Sequence, residues 1–207
     1  DKEKFQVDPN NLLNFIKFRR SIRQFKDKEV EEEKLSKIIE AGIFTETAAN
    51  MQDVSYIVVR EGLQELRRLT LETLNDIGNK ILSNITPENI IYVKYAKLWV
   101  KMYEKYKENP DKEDELFFNA PAVIVVTANF QINGVLASSN MELMTNALDL
   151  GALFSGFFVR AAEGNKKIRE LLGIKEGKEV ATCMIIGYPD IKYKRTVPRK
   201  SPKISWK

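Results

Sequence analysis

Two apolar runs, residues 121–128 and 180–187, constrain this chain more than any other feature. Neither contains a charge, and both are rich in β-branched residues, the pattern of strands buried on both faces. Such strands need helices packed against them, and most of the remaining chain reads as helix. Asp8-Pro9 is an N-cap followed by proline at the first helical position, with Leu12, Leu13 and Ile16 as the apolar face. A second helix fits 31–43, where Leu35, Ile38, Ile39 and Gly42 fall at helical spacing. A small polar loop at 45–53 leads into a strand carrying Val54, Tyr56, Val58 and Val59.

Residues 62–108 read as helical, re-entered at Thr86-Pro87-Glu88 and closed by Asn109-Pro110-Asp111. Ile91, Tyr95, Leu98, Met102 and Tyr106 form a stripe there, expected to be a packing face rather than a cofactor contact. A helix over 137–150 carries Met141, Met144, Ala147 and Leu148 on one side. Residues 149–158 read as a glycine-containing turn, 166–172 as a short helix stopped by Gly173, and the tail to Trp206 as basic and extended. The expectation is an α+β layer fold in one domain, 1–207, with a helical insertion at about 62–115. About four strands are expected, which leaves room for one added by a partner.

Hydrophobic residues make up 43% of the chain, enough for a packed core. No apolar run approaches the ~20 residues of a membrane span. Asp1-Lys2-Glu3-Lys4 has no apolar signal core behind it. A soluble, cytoplasmic protein with no membrane partner is expected.

The chain has no histidine and one cysteine, Cys183. That excludes an intramolecular disulfide, a Cys/His zinc site, and four-thiolate iron–sulfur ligation within the chain. It equally excludes Ser-His-Asp and Cys-His catalysis. No metal site is expected. Cys183, between Thr182 and Met184 in an apolar run, reads as a small core residue. Chemistry then falls to carboxylates, lysines or a borrowed cofactor, and the cofactor is the most economical source.

The 33 basic and 29 acidic residues give a net charge of +4. Basic residues cluster as Lys17, Arg19, Arg20, Arg23 and Lys26 near the front, and as Lys192, Lys194, Arg195, Arg199, Lys200 and Lys203 near the end. Clusters of this kind suit nucleic acid or a pocket for one phosphate. No groove-reading motif or aromatic RNA signature accompanies them, so no nucleic-acid partner is expected.

Three constellations carry chemistry. In Arg19-Arg20-Ser21-Ile22-Arg23-Gln24-Phe25, three guanidiniums and a hydroxyl stand within five residues. Guanidiniums bind phosphate oxygens bidentately and the hydroxyl adds a neutral donor. In Thr47-Ala48-Ala49-Asn50-Met51-Gln52, small residues admit a flat ligand and two amides offer both donors and acceptors. The edge of a flavin or pterin asks for that mixture. The third is Pro198-Arg199-Lys200, downstream of Gly187-Tyr188-Pro189. Taken singly, these are equally a basic turn, a polar loop and a basic tail; their strength lies in the combination and its order.

That order resembles the nitroreductase family. RRSIRQF is similar to the family's first FMN-phosphate loop, and TAANMQ before VSYIVV resembles its Ser-Ala-x-Asn-x-Gln segment. FFNAPAVIVV, NALDLGALFSGFF, LLGI, MIIGYP and VPRK follow in family order, so the likeness spans roughly residues 10–206. RRSIR and the terminal YKR-x-x-PRK are most similar to the branch fused behind a ferredoxin module. One cysteine cannot hold that module's cluster here.

The resemblance implies a nitroreductase-like fold, a central mostly antiparallel sheet flanked by helices, dimeric with strand or tail exchange. It implies that Arg19, Arg20 and Ser21 hold the FMN phosphate and ribityl chain, joined by Arg199 and Lys200. Arg23 would stand at the N1/O2 side of the ring as charge stabiliser, where a cation favours the reduced form. Asn50, with Gln52 from the dimer partner, would contact the isoalloxazine and ribityl groups. Ser155 and Gly156 align with the turn whose backbone N–H faces flavin N5.

Three departures from the family pattern stand out: Glu46 for a proline, Asp53-Val54 for Pro-Trp, and Phe154 with Gly156-Phe157 for a bulky aromatic and double glycine. They are expected to touch the substrate face more than the phosphate site. The implied activity is an FMN-dependent, ping-pong reduction of small electron-poor acceptors such as nitroaromatics or quinones. The donor is left open among NADH, NADPH and ferredoxin. The alternatives are a specialised dehalogenase-like relative and a non-catalytic flavin-binding module.

Overall fold

The computed structural model describes residues 2–207. Its middle layer is a sheet of four strands, β1 (Ser55–Val59), β2 (Ala122–Ala128), β3 (Gly151–Phe154) and β4 (Glu179–Gly187). They pair antiparallel throughout in the order β1-β2-β4-β3. The two apolar runs are thus the central pair, and every residue of β2 is buried.

Side chains alternate across the pleat and so divide the core in two. Val123, Val125, Leu153, Cys183 and Ile185 face one cluster, with Leu66, Leu74, Trp99, Met102 and Phe158. These come from α3 (Leu63–Ser83), α4 (Val93–Glu108) and α6 (Gly156–Gly164); α7 (Lys166–Leu171) adds Ile168. Ala122, Ile124, Val126, Ala152, Met184 and Ile186 face the other, against α2 (Glu32–Ile43) and α5 (Gln131–Ala147). Each fully buried aliphatic or aromatic side chain adds about 1.5–3 kcal/mol of transfer free energy. The α+β class and the helix-flanked antiparallel sheet agree with the sequence expectation.

Three readings are corrected. Residues 149–158 are not one turn: Asp149 turns the chain at φ 59°, β3 follows, and α6 starts at Gly156. A four-residue strand is too short to show a period. The helix expected over 137–150 begins at Gln131, because its buried face starts with polar Asn133 and small Gly134. The stripe from Ile91 to Tyr106, most of it on α4, is only partly a packing face. Met102 is buried, but Ile91, Tyr95 and Leu98 are exposed, and Ala96 and Trp99 pack inward instead.

Between α4 and β2 the chain is held by Arg67 of α3, whose side chain is 3% exposed. It donates to the carbonyls of Pro110 (2.7 Å) and Glu113, and its Nε lies 3.2 Å from Asp114 Oδ1. Asp114 in turn accepts from the backbone N–H groups of Leu116 and Phe117. Among the described residues no helix is long and apolar enough to cross a membrane.

Candidate functional site

The arginine-rich segment after α1 (Pro9–Phe18) is fixed by its two apolar residues. The Ile22 N–H donates to the Ala152 carbonyl at 3.0 Å, and Ser21 forms a parallel bridge with Ala152. Ile22 is buried against Gly151, where a Cβ would approach its side chain to 2.6 Å. Phe25 packs on Gly187 in the same manner and bridges Pro189. Extended backbone alternates, so burying Ile22 turns Ser21 and Arg23 outward together.

The two basic clusters meet there. Arg19, Arg20, Ser21, Arg23 and Arg199 line one pocket of about 410 Å³, with Glu142 of α5. Arg19 pairs with Glu142, yet its Nε is buried with no hydrogen-bond partner among the described residues. Arg20 is committed to the tail: its Cζ lies 4.1 Å from the Tyr193 ring centroid and its Nη1 donates to the Arg195 carbonyl at 3.1 Å. Lys200 follows Arg199 but does not line the pocket. Four guanidiniums against one carboxylate leave a surplus that a phosphate monoester, at −1.5 to −2 near pH 7, would largely offset. The orphaned Nε and the Ser21 hydroxyl fit that group.

Asn50 and Gln52 lie apart from this pocket, on the loop before β1. Gln52 Nε2 donates to Asn50 Oδ1 at 3.2 Å, so the two amides act as a pair. Ala49, Asn50 and Gln52 have φ of 50°, 53° and 48°, a left-handed backbone that residues with a Cβ disfavour. Asp53, expected to touch a substrate face, is instead buried behind the loop. Burial pushes its carboxyl up, but hydrogen bonds from Asn133 and from the Phe130 and Asn129 N–H groups outweigh that and hold it below the ordinary aspartate value.

Ser155 and Gly156 line a third hollow of about 370 Å³ with Phe154, Thr182 and Cys183. The Ser155 N–H is spent on the Cys183 carbonyl at 2.8 Å, and its Oγ caps α6 by accepting from the Phe158 N–H. Gly156 opens α6, so its N–H has no intrahelical acceptor, and a Cβ there would meet nothing within 4 Å. The open donor of this turn is therefore Gly156. Ser155 lies three residues beyond Ala152, the partner of Ser21, roughly 10 Å along the strand at 3.3 Å per residue. Cys183 is fully buried, and burial pushes its thiol up, as expected of a core residue rather than a nucleophile.

Glu142 and Asn133 are not among the residues the sequence singled out, and Tyr193 entered only as the first letter of the YKR-x-x-PRK motif, with no role. Glu142 carries no local signal. Asn133 does: with Ala137, Met141 and Thr145 it forms a buried series spaced by four, and a polar member of such a series needs a partner. Beside the Gly156 turn, Phe157 meets Trp99 at 5.7 Å and Tyr95 at 6.1 Å, both edge-on. The α4 helix therefore abuts this turn.

A model of the nitroreductase family matches residues 16–188, from α1 to just beyond β4. An Archaeoglobus fulgidus protein provisionally named an NADH dehydrogenase/NAD(P)H nitroreductase is 26% identical over 187 residues, covering 86% of this chain and 84% of its own. A Bacteroides fragilis nitroreductase with bound FMN superposes with a TM-score of 0.72 at 16% identity, over 96% of this chain and all of that one. An iodotyrosine deiodinase bound to FMN and 3-iodo-L-tyrosine gives 0.66 at 16% identity, over 95% and 98%. The matched span carries the arginine segment, the amide loop, the Gly156 turn and all four strands, and the chain belongs to the nitroreductase family.

Proposed function

We propose that this chain is an FMN-dependent oxidoreductase that reduces small electron-poor acceptors, nitroaromatics and quinones among them. The observation that carries this reading is the convergence of Arg19, Arg20, Ser21, Arg23 and Arg199 on one pocket containing a buried, unpartnered guanidinium nitrogen. Bound FMN would supply the acceptance and release of two electrons, chemistry that no side chain here can perform.

The residues do the rest. Arg19 and Arg199 hold the phosphate with the Ser21 hydroxyl, while Arg20 brings the tail, and with it Arg199 and Lys200, to the site. Arg23 stabilises negative charge at the pyrimidine end of the ring. Asn50, with Gln52 from the dimer partner, would address the ring's polar edge, and the Gly156 N–H would be the donor to N5. The Tyr95–Trp99–Phe157 cluster stands beside the Gly156 turn and would bound the acceptor's side of the cleft. NADH, NADPH or ferredoxin serves as donor.

A homodimer completes the reading. No residue of α1 is buried, although Leu12, Leu13, Ile16 and Phe18 stand on it, and Phe130, Ile132, Val135 and Leu136 are exposed nearby in sequence to the start of α5. Exposed apolar surface of this extent marks an interface. The edge of β1 borders a groove of about 820 Å³ lined by Glu29, Glu32 and Glu61 with Arg60, which pairs with Glu29, and the exposed tail with Lys203, Ile204 and Trp206 offers the opposite charge and apolar side chains. Strand or tail exchange between protomers rests on that match.

The test is an absorption spectrum of the purified protein, before and after anaerobic NADH or NADPH. Flavin bands that bleach support an enzyme and identify its donor. Bands that persist with both nucleotides and with reduced ferredoxin favour a non-catalytic flavin-binding module. A colourless protein that takes up no added FMN defeats the reading. Iodide release from iodotyrosine, tested on the same sample, separates the dehalogenase-like alternative.

A further inference from the structure

Both ends of the amide loop are tied to one side chain. Asn133, 1% exposed in the first turn of α5, donates from Nδ2 to Asp53 Oδ1 at 2.7 Å and accepts through Oδ1 from the Ala48 N–H at 3.2 Å. Asp53 Oδ2 accepts from the N–H groups of Asn129 (2.9 Å) and Phe130 (3.1 Å), and its carbonyl accepts from Lys178 Nζ. The amide orientation is determined by its partners. Reversed, Asn133 would set NH₂ against N–H at Ala48 and oxygen against oxygen at Asp53.

We propose that Asp53 and Asn133 are positioning residues: they strap the loop of Asn50 and Gln52 into the pose in which these amides meet the flavin ring. The inference rests on the FMN reading above. Three residues with a Cβ sit in left-handed backbone within the strapped segment, Ala49, Asn50 and Gln52. Such conformations persist only where their surroundings over-determine them. Within the loop, Thr47 Oγ1 accepts from the Gln52 N–H at 3.0 Å and the two amides bond each other. None of these bonds reaches the body of the protein; the ties at Ala48 and Asp53 do so closest to the pair, with one further back from Asn140 Nδ2 to Thr45 Oγ1 at 2.7 Å. Asp53 and Asn133 are buried and the amides of Asn50 and Gln52 are exposed, which divides holding from contacting.

The hydrogen-bond pattern supplies its own rescue. Asp53→Asn sets an NH₂ group against the Asn133 NH₂ and breaks the strap. Asn133→Asp in the same chain restores it: residue 53 then donates where it accepted, residue 133 accepts where it donated, and the Ala48, Asn129 and Phe130 N–H groups keep acceptors. The two variants and the parent are titrated with FMN. The visible spectrum of the bound flavin is recorded, and its midpoint potential is measured against a reference dye.

The expected result for Asp53→Asn is FMN affinity roughly tenfold weaker or more, on the scale of losing a hydrogen bond to a charged group, with displaced flavin bands and a changed midpoint potential. The double variant should return to the parent in all three. A lower melting temperature in Asp53→Asn, with affinity, bands and potential unchanged, would show a purely structural role and overturn the proposal. If Asp53→Asn does not fold, the double variant decides: folded with parental flavin properties it upholds the strap, and folded with weaker FMN affinity, displaced bands and a changed potential it overturns it. A parent protein that takes up no FMN would sink the FMN reading itself, which the titration distinguishes from failure of the strap.

Discussion

Ile22 rests on the bare Cα of Gly151, so closely that a methyl group there would come within 2.6 Å of the Ile22 side chain. This contact sets the side from which Ser21 and Arg23 emerge. Gly151→Ala should displace Ile22 and cost about 1–3 kcal/mol, the usual range for overpacking a core. FMN affinity should fall with it, because the arginine segment moves as a piece. Urea unfolding and an FMN titration on the same variant check both; lost stability with unaltered affinity would show that Ile22 does not set the phosphate site.

Arg199 reaches the pocket from the tail and takes part in none of the ion pairs found among the described residues. Arg199→Ala should therefore weaken FMN binding without a change in stability. A charge-assisted hydrogen bond contributes about 1.5–3 kcal/mol, so the dissociation constant should rise roughly 10- to 100-fold. Riboflavin, which lacks the phosphate, should bind parent and variant alike. Equal losses for both ligands would place Arg199 at the ring instead.

Arg67 is a different kind of arginine. It is buried, and removing it strands the Asp114 carboxylate and two carbonyls. Arg67→Met should cost about 3–5 kcal/mol by leaving a buried charge uncompensated. Flavin affinity per folded molecule should be unchanged, since Arg67 lies on the opposite side of the sheet core from the arginine pocket's helix α5. Denaturant melts and stoichiometric FMN uptake measure the two effects separately.

Cys183 should resist chemistry in the native state. Its thiol is fully buried and pushed up by that burial, so little thiolate forms near neutral pH. Iodoacetamide at pH 8 should leave the folded protein unmodified and label one site in urea, which mass spectrometry resolves. Rapid native labelling would mean that β4 opens locally.

The legible parts of this chain were those written in local pattern. The central strands showed as apolar runs, α2 as a periodic face, and the first helix as an N-cap and proline at Asp8-Pro9. The arginine segment and the tail were recognised as basic, and the structure brings them together at one pocket. Their meeting is a long-range fact: Arg20 stacks on Tyr193 across most of the chain's length, and nothing near either residue encodes it. β3 was illegible because four residues cannot display a period, and α6 because its first residues, Gly156 to Phe158, read as the end of a glycine-containing turn. Asp53 was noticed only as a departure from a pattern; its partner Asn133 lies in another element, so its buried role could not be read locally.

Val59 and Val123 are paired neighbours in the sheet, yet α3, α4 and the Arg67-held loop all lie between them in sequence. An excursion whose two ends are hydrogen-bonded neighbours can change length at little entropic cost, since closure entropy grows only logarithmically. The helices that abut the Gly156 turn are thus joined covalently to the sheet at a single pair of adjacent residues, whereas the arginines, the amide loop and the turn are anchored elsewhere. Evolution can retailor what the cleft admits by lengthening or shortening the outer parts of this excursion, so long as Leu66, Leu74, Trp99 and Met102 still cover their face of the sheet.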